Sequence, residues 1–298
     1  MNLPSGLHVA LPTPFTADGE VDLPAFRNVV RHVRSAGVDA LVVLGTTGEA
    51  ATLDDEERDR LIVACCEEAD GRPVIVGCGT PSTRRSAAFV RRARELGAQG
   101  ALVVTPYYNK PTQDGLVAHY RALATAAPGF PLVAYNVPSR TGISISLSAL
   151  QRIWQIDEVV ALKESTGDSG RFRDIAQSMP QRKVLLCGDD HLTVAAAAAG
   201  ARGLVSVVAN VVPDLTLAMT RAACSGDGGR AQGLLHRLMP LAHALFLESN
   251  PIPLKAALEL IGLAGAHVRL PLTPAQPATV AALRDALLRV DQTAGKAT

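Results

Sequence analysis

Short, continuous runs of apolar residues recur along the chain. The eight runs occupy residues 7–15, 40–45, 73–79, 100–106, 131–138, 159–165, 183–190 and 203–210. Each run is too short and too uniformly apolar for an amphipathic helix, in which apolar positions recur every three or four residues. Continuous apolar strands are typical of a parallel sheet whose outer face is covered. The pattern therefore predicts eight parallel strands.

The segments between these runs have the features of helices. Residues 54–70 begin with acidic side chains, which suit a helix N-terminus. Residues 82–97 begin with Ser-Thr and end at Gly97, a natural C-cap. Eight alternating strand–helix units predict an α/β fold of the TIM (β/α)8 barrel type. A doubly wound open sheet is the alternative, but the turn after the first strand lacks G-x-G-x-x-G.

The last quarter of the chain differs from the repeating part. It is rich in alanine and leucine, reads as helical and is interrupted by several prolines. We therefore predict a catalytic barrel over residues 1–224 and a C-terminal helical region over 225–298 that packs on the barrel as a small appendage.

Composition excludes several classes of protein. Apolar residues make up 48% and charged residues 19% of the chain, which is incompatible with intrinsic disorder. Lys+Arg (29) and Asp+Glu (28) nearly cancel, so no nucleic-acid partner is expected. No apolar run has the ~20 residues that span a bilayer, so no membrane association is expected either. The N-terminus does not resemble a secretory signal, and we expect a cytoplasmic protein.

Few residues of the chain have the spacing of metal ligands. Its five cysteines have no C-x-x-C spacing, and its seven histidines show no H-x-H or H-E-x-x-H. The adjacent Asp189 and Asp190 could suggest a metal, but a pair without a third ligand is more often a helix cap. We expect no metal site.

Reactive groups in such barrels lie where the strands end. Lys163 directly follows an apolar run, and desolvation there favours a neutral, nucleophilic amine. The alternative is a strand-end lysine paired with a carboxylate. Thr46 and Thr47 lie on a glycine turn that suits a small carboxylate, or they only cap the next helix. Tyr135 could move protons or simply pack, and Arg140 could bind a carboxylate or form a loop salt bridge.

Together these segments form one ordered set, namely GTTGE, TPYYNKP, YNVPSRTG, KESTGD, GDD, SVVANV and NPIPLK. From about residue 5 to about 275, the chain closely resembles the dihydrodipicolinate synthase family. These are pyruvate-dependent class I aldolases, and N-acetylneuraminate lyase belongs to the same group. The combination of GTTGE, YNVPSRTG and a lysine 28 residues after the tyrosine is highly specific.

The resemblance implies catalytic roles for four residues. Lys163 is similar to the lysine that forms a Schiff base with the keto carbon of pyruvate. Thr46, Tyr135 and Tyr108 resemble a relay of hydroxyl groups, with Tyr108 supplied by a neighbouring subunit. A homo-oligomer, arranged as a dimer of dimers, is therefore expected.

The resemblance also implies four substrate-binding residues. Thr47 is similar to the residue that grips the pyruvate carboxylate, and Gly188 and Val205 match positions that line the pyruvate pocket. Arg140 resembles the group that binds the carboxylate of aspartate semialdehyde at the site entrance.

The implied activity is condensation of pyruvate with L-aspartate 4-semialdehyde in lysine and diaminopimelate biosynthesis, with no cofactor. Arg140 favours it, because a charged fork suits a short substrate that ends in a carboxylate. One alternative is an aldolase for another 2-keto acid, such as 4-hydroxy-2-oxoglutarate. A second, from another class, is a non-catalytic barrel that senses keto acids.

The chain departs from the family at one place. Relatives that are inhibited by lysine carry His, Asn and Glu side chains in a pocket at the tight dimer interface. The corresponding stretches here contain Asp55, Arg58 and residues 81–85, although Tyr107 is retained. We therefore expect weak or absent inhibition by lysine.

Overall fold

Eight parallel strands pair in chain order, and the last pairs with the first, which closes the sheet into a barrel. The computed structural model describes residues 3–294, with side chains as far as residue 290. The strands are β1 (Gly6–Ala10), β2 (Ala40–Val43), β3 (Val74–Gly77), β4 (Gly100–Val104), β5 (Leu132–Asn136), β6 (Val159–Glu164), β7 (Val184–Cys187) and β8 (Gly203–Ser206). The predicted TIM barrel is confirmed.

Each strand ends before its apolar run does. The clearest case is the first run, where the ladder stops at Ala10 although the run continues to Phe15. Pro12 and Pro14 lie in that interval and have no N–H to donate to a neighbouring strand. The apolar residues beyond the ladder instead form the loops at the mouth of the barrel.

Twelve α-helices are described. They are α1 (Leu23–Ser35), α2 (Asp55–Glu68), α3 (Thr83–Glu95), α4 (Gln113–Ala126), α5 (Pro138–Thr141), α6 (Leu147–Ile153), α7 (Ser169–Ser178), α8 (Thr193–Ala198), α9 (Pro213–Cys224), α10 (Gly228–Ala244), α11 (Ile252–Leu260) and α12 (Pro277–Ala294). None of these helices, which lie within residues 3–294, has an apolar stretch long enough to cross a membrane.

The predicted helix ends have local causes. Asp54 and Glu57 form a reciprocal capping box at the start of α2. The Ser82 side chain accepts a hydrogen bond from the Arg85 N–H at the start of α3. That helix is followed by Gly97 with φ +92°, a conformation in which glycine is favoured.

Successive side chains of each strand point to opposite faces of the sheet, which creates two apolar layers. In β2, Ala40 and Val42 face the barrel interior, whereas Leu41 and Val43 face the surrounding helices. The inner layer is small, and the outer layer forms the large core between sheet and helices. Because every strand is buried on both sides, both sets of positions are apolar, as the continuous runs predicted.

The C-terminal helices pack on the barrel side by side. Helix α10 packs on α9 and α12, and α11 packs on α12 and on the short turn after β8. The predicted division after residue 224 falls between α9 and α10 and stays a prediction. Residues 295–298 of the predicted C-terminal region lie outside the described residues.

Candidate active site

Tyr135 and Lys163 are partners in the barrel wall. They pair in register across β5 and β6. Tyr135 belongs to the inner apolar layer, and the Lys163 Nζ lies 4.1 Å from the centroid of its ring. Both side chains are buried. A lone ammonium or amine is thereby held against an aromatic face near the carboxyl ends of the strands, where barrel enzymes have their active sites.

The residues that follow this pair, Asn136 on β5 and Glu164 on β6, face the outer side of the barrel and connect the two strands there. The Asn136 side-chain amide donates to both carboxylate oxygens of Glu164, at 3.0 Å each. The Arg171 Nε donates to the same carboxylate at 3.0 Å. Burial raises the pKa of Glu164, while Arg171 and Asn136 oppose the shift. This network ties β5 to β6 directly beside Lys163.

Gly188, at the end of β7, lies in close contact with the lysine. A Cβ at this position would lie 1.9 Å from the Ser165 Oγ and 2.8 Å from the Lys163 Cε. No larger residue fits there without displacing these groups. The neighbouring Asp189 is within electrostatic reach of Lys163, which opposes the rise in the Asp189 pKa caused by burial.

The side chains of Asp189 and Asp190 do not cap the helices that follow β7. The buried Asp190 carboxylate accepts hydrogen bonds from the Ser206 hydroxyl and from the Val207 N–H at 3.0 Å, so it fixes the turn that follows β8. That turn begins directly after Val205, which faces the barrel interior. Within residues 3–290, no group of three or more His, Cys, Asp or Glu side chains could hold a metal ion.

A cavity of about 590 Å³ opens at the mouth of the barrel. Its walls include three of the predicted site residues, Thr46, Tyr135 and Arg140. Tyr107 and Asn250 also line it. The exposed Arg140 lies on the short helix α5, which directly follows the strand that carries Tyr135. The structure thus brings a guanidinium to a cavity whose wall includes the side chains of Thr46 and Tyr135.

The turn that contains Thr46 and Thr47 is held by the C-terminal region. The Asn250 side-chain amide donates to the Thr47 Oγ1 at 3.0 Å, and the Asn250 carbonyl accepts from the Arg140 guanidinium at 3.3 Å. Neither threonine caps the following helix, because Asp54 does so. NPIPLK was part of the motif set, but its letters gave no sign that Asn250 would bridge the two candidate carboxylate-binding residues.

Tyr108 lies apart from the other predicted catalytic residues in the single chain. Its side chain is 92% exposed, and its φ of +69° places it at the tip of a tight turn. Asn109 closes this turn by donating from its backbone N–H to the Tyr107 carbonyl at 2.8 Å. The structure therefore assembles Lys163 and Tyr135 with the Thr46 turn, but it does not bring Tyr108 to them.

The wall of the cavity also contains two arginines. The guanidinium groups of Arg58 and Arg85 lie 4.0 and 4.9 Å from the centroid of the Phe89 ring. Arg58 is buried and donates to the Gly77 carbonyl at 2.7 Å, while Arg85 pairs with Asp55 at 2.8 Å. Two guanidinium groups therefore lie in this part of the cavity wall, with the carboxylates of Asp55 and Asp59 within electrostatic reach of Arg58.

Comparisons with known proteins give near full-length matches. The model of the dihydrodipicolinate synthetase family matches residues 3–289. The 4-hydroxy-tetrahydrodipicolinate synthase of Thermomicrobium roseum is 48% identical, with 97% of this chain and 95% of that protein covered. The crystal structure of dihydrodipicolinate synthase from Thermotoga maritima has a TM-score of 0.94 at 40% identity, covering 97% of this chain and 99% of that one.

A second solved structure is also close. The chloride-inhibited dihydrodipicolinate synthase from Acinetobacter baumannii, complexed with pyruvate, has a TM-score of 0.94 at 38% identity and covers 96% of this chain and 99% of that one. The barrel, the motif set and these near full-length matches agree. The chain belongs to the dihydrodipicolinate synthetase family.

Proposed function

We propose that this protein is a 4-hydroxy-tetrahydrodipicolinate synthase, which condenses pyruvate with L-aspartate 4-semialdehyde in lysine and diaminopimelate biosynthesis. The observation that carries the proposal is the buried Lys163 amine held against Tyr135, with Thr46, Tyr135 and Arg140 at one cavity. The names of the relatives support the same product, and the pyruvate complex of the Acinetobacter baumannii protein supports pyruvate as one substrate.

Lys163 carries the chemistry in this proposal. Its neutral Nζ attacks the keto carbon of pyruvate, and loss of water leaves an imine. The imine withdraws electrons, so a methyl proton leaves and an enamine forms. The enamine carbon then attacks the aldehyde carbon of the semialdehyde. Finally, the amino group of the second substrate attacks the imine carbon, which closes the ring and releases the lysine.

The surrounding residues bind substrate and move protons. Thr47, Gly188 and Val205 form the pyruvate pocket, in which Gly188 leaves room beside the Lys163 side chain. Thr46, Tyr135 and a partner's Tyr108 form the hydroxyl relay. Weakly acidic hydroxyl groups can pass a proton along without leaving a full charge in the pocket.

The test is turnover by the purified protein. Pyruvate is supplied with L-aspartate 4-semialdehyde, and its consumption is followed; 4-hydroxy-2-oxoglutarate is assayed separately for cleavage. We expect condensation with the semialdehyde to have the higher kcat/KM. Preferred cleavage of 4-hydroxy-2-oxoglutarate would instead indicate the related aldolase. Pyruvate binding without any turnover would indicate a sensor.

Replacing Arg140 by alanine is expected to impair the use of L-aspartate 4-semialdehyde more than the use of pyruvate. A charge-assisted bidentate contact contributes roughly 1.5–3 kcal/mol, so kcat/KM for the semialdehyde should fall about ten- to a hundredfold. Imine formation with pyruvate should persist. Steady-state kinetics in both substrates measures the effect, with Arg140→Lys as the matched variant that keeps the charge but loses the planar fork. Equal losses for both substrates would show that Arg140 is structural.

L-Lysine is expected to inhibit this enzyme weakly or not at all. An amino-acid effector with two ammonium groups would meet the guanidinium groups of Arg58 and Arg85 in the cavity wall, and like charges repel. Initial rates measured with lysine up to millimolar concentration check this. Inhibition at sub-millimolar lysine would contradict it.

The exposed ring of Tyr108 suggests an assembly. We propose a two-fold homodimer that buries this residue, and pairing of two dimers into a tetramer. Leu270, which is 81% exposed, directly precedes Pro271 in the wall of the same cavity and offers further apolar surface there. Analytical ultracentrifugation distinguishes monomer, dimer and tetramer.

A further inference from the structure

A buried ion pair joins the C-terminal region to the turn that contains Thr46 and Thr47. Lys255, on α11, pairs with Glu49, and the two side chains are only 1% and 2% exposed. The Lys255 Nζ also donates to the His267 carbonyl at 2.8 Å and lies 4.0 Å from the centroid of the Phe15 ring. The charge therefore has a carboxylate, a backbone carbonyl and an aromatic face as partners.

Such a pair is costly to bury. Burial lowers the pKa of Lys255 to about 8, although Glu49 favours the charged form. Apolar side chains of similar size often stabilise a protein as well as a buried ion pair does. The stability of the fold alone therefore does not account for two charges at this place.

Glu49 acts directly on the candidate pyruvate-binding turn. Its backbone N–H donates to the Thr46 carbonyl at 3.1 Å, and its φ of +50° is a conformation that only local contacts can maintain in a residue of this size. One carboxylate oxygen pairs with Lys255, and the other accepts from the Arg269 N–H at 3.2 Å. Both carboxylate oxygens of Glu49 thus have partners, and the Glu49 backbone closes the turn.

We infer that Lys255 and Glu49 are positioning residues, whose ion pair holds the Thr46–Thr47 turn in the conformation that receives the keto-acid carboxylate. The inference rests on the proposed function. It explains why the helical region that follows the barrel is tied into the active-site mouth, and it assigns a role to the lysine of NPIPLK. Neither side chain needs to touch the substrate.

The test compares two buried lysines in the full-length protein. Lys183 is 2% exposed and donates to the carbonyl groups of Ile156 at 3.0 Å and Asp157 at 3.4 Å, directly before β6 and at the end of the barrel opposite the site. Lys255→Met and Lys183→Met each remove one buried charge. We expect Lys255→Met to raise the KM for pyruvate roughly tenfold, with a smaller change in kcat, while Lys183→Met leaves this KM within about twofold.

Glu49→Gln provides a second variant if Lys255→Met fails to fold. It keeps the size of the side chain and an acceptor for the Arg269 N–H, and it should raise the KM for pyruvate in the same direction. In the double variant the two effects should not add, because both remove one interaction. An unchanged KM in a folded Lys255→Met or Glu49→Gln protein would overturn the inference, as would an equal rise in Lys183→Met.

The unsubstituted protein serves as the check on the proposed function itself. Borohydride should trap a pyruvate adduct on it. Without an adduct, the proposed function and this inference both fail. With an adduct on the unsubstituted protein but no change of KM in the variants, only the inference fails.

Discussion

Lys163→Met is expected to abolish turnover, with kcat lowered by about three orders of magnitude or more. A thioether has similar length but cannot attack a carbonyl, so no imine forms and the methyl group of pyruvate keeps its protons. The substitution also suits the site sterically, because the lysine stem lies against Tyr135 and next to Gly188. Steady-state kinetics together with borohydride trapping measures the loss, and the pyruvate label should disappear with the activity.

Two other lysine variants serve as controls. Lys183→Met and Lys255→Met should both retain the borohydride-trapped adduct, since each keeps the Lys163 amine. Peptide mapping by mass spectrometry should place the label of the unsubstituted protein on Lys163. A label on Lys110, Lys183, Lys255 or Lys296 would contradict the assignment of the nucleophile.

The fold could be predicted because its determinants are local. Apart from Gly6 at the start of β1, each strand lies within one short apolar run, and the helices α2 and α3 begin at acidic or hydroxyl side chains that cap them. The pairing of Tyr135 with Lys163 also follows from the pattern, since consecutive strands of a barrel are neighbours. The side-chain period of two puts alternate residues on opposite faces, but because both faces are apolar the pattern does not say which face Tyr135 and Lys163 share.

The connections to the C-terminal region could not be predicted in this way. Asn250 reaches Thr47 across 203 positions, and no periodicity in the sequence encodes that contact. Lys255 lies on a strongly apolar helix, where a lysine would be expected to extend toward solvent, yet it is buried against Glu49. Such contacts depend on how a helix docks on the barrel, which is determined by packing over the whole surface.

The role of the two aspartates shows the same limit. Their position after β7 suggested a cap on the next helix, but the Asp190 carboxylate accepts hydrogen bonds from Ser206, the last residue of β8, and from Val207, which follows it. In a parallel barrel the carboxyl ends of neighbouring strands lie side by side. A side chain at one strand end can therefore stabilise the turn after the next strand as easily as its own.

Tyr108 raises the question of whether one chain contains a complete site. Two tyrosines are adjacent in this turn, and Tyr107 lines the cavity, whereas Tyr108 is exposed and does not belong to the cavity wall. An aromatic side chain of this size can bury 150–250 Å², and a two-fold interface next to the cavity would bury it. The same interface would allow each Tyr108 to reach the partner's cavity.

Tyr108→Phe and Lys163→Met are each expected to be nearly inactive as separate homo-oligomers, but active when they are co-refolded. If Tyr108 acts across a two-fold dimer, about half of the dimers are mixed, and each mixed dimer contains one site with an intact lysine and an intact partner tyrosine. Activity should then return to roughly a quarter of that of the unsubstituted protein. If Tyr108 acted within its own chain, every site in a mixed dimer would lack either the lysine or the tyrosine. Absence of recovery, with subunit exchange demonstrated by native mass spectrometry, would therefore show that the site is not shared.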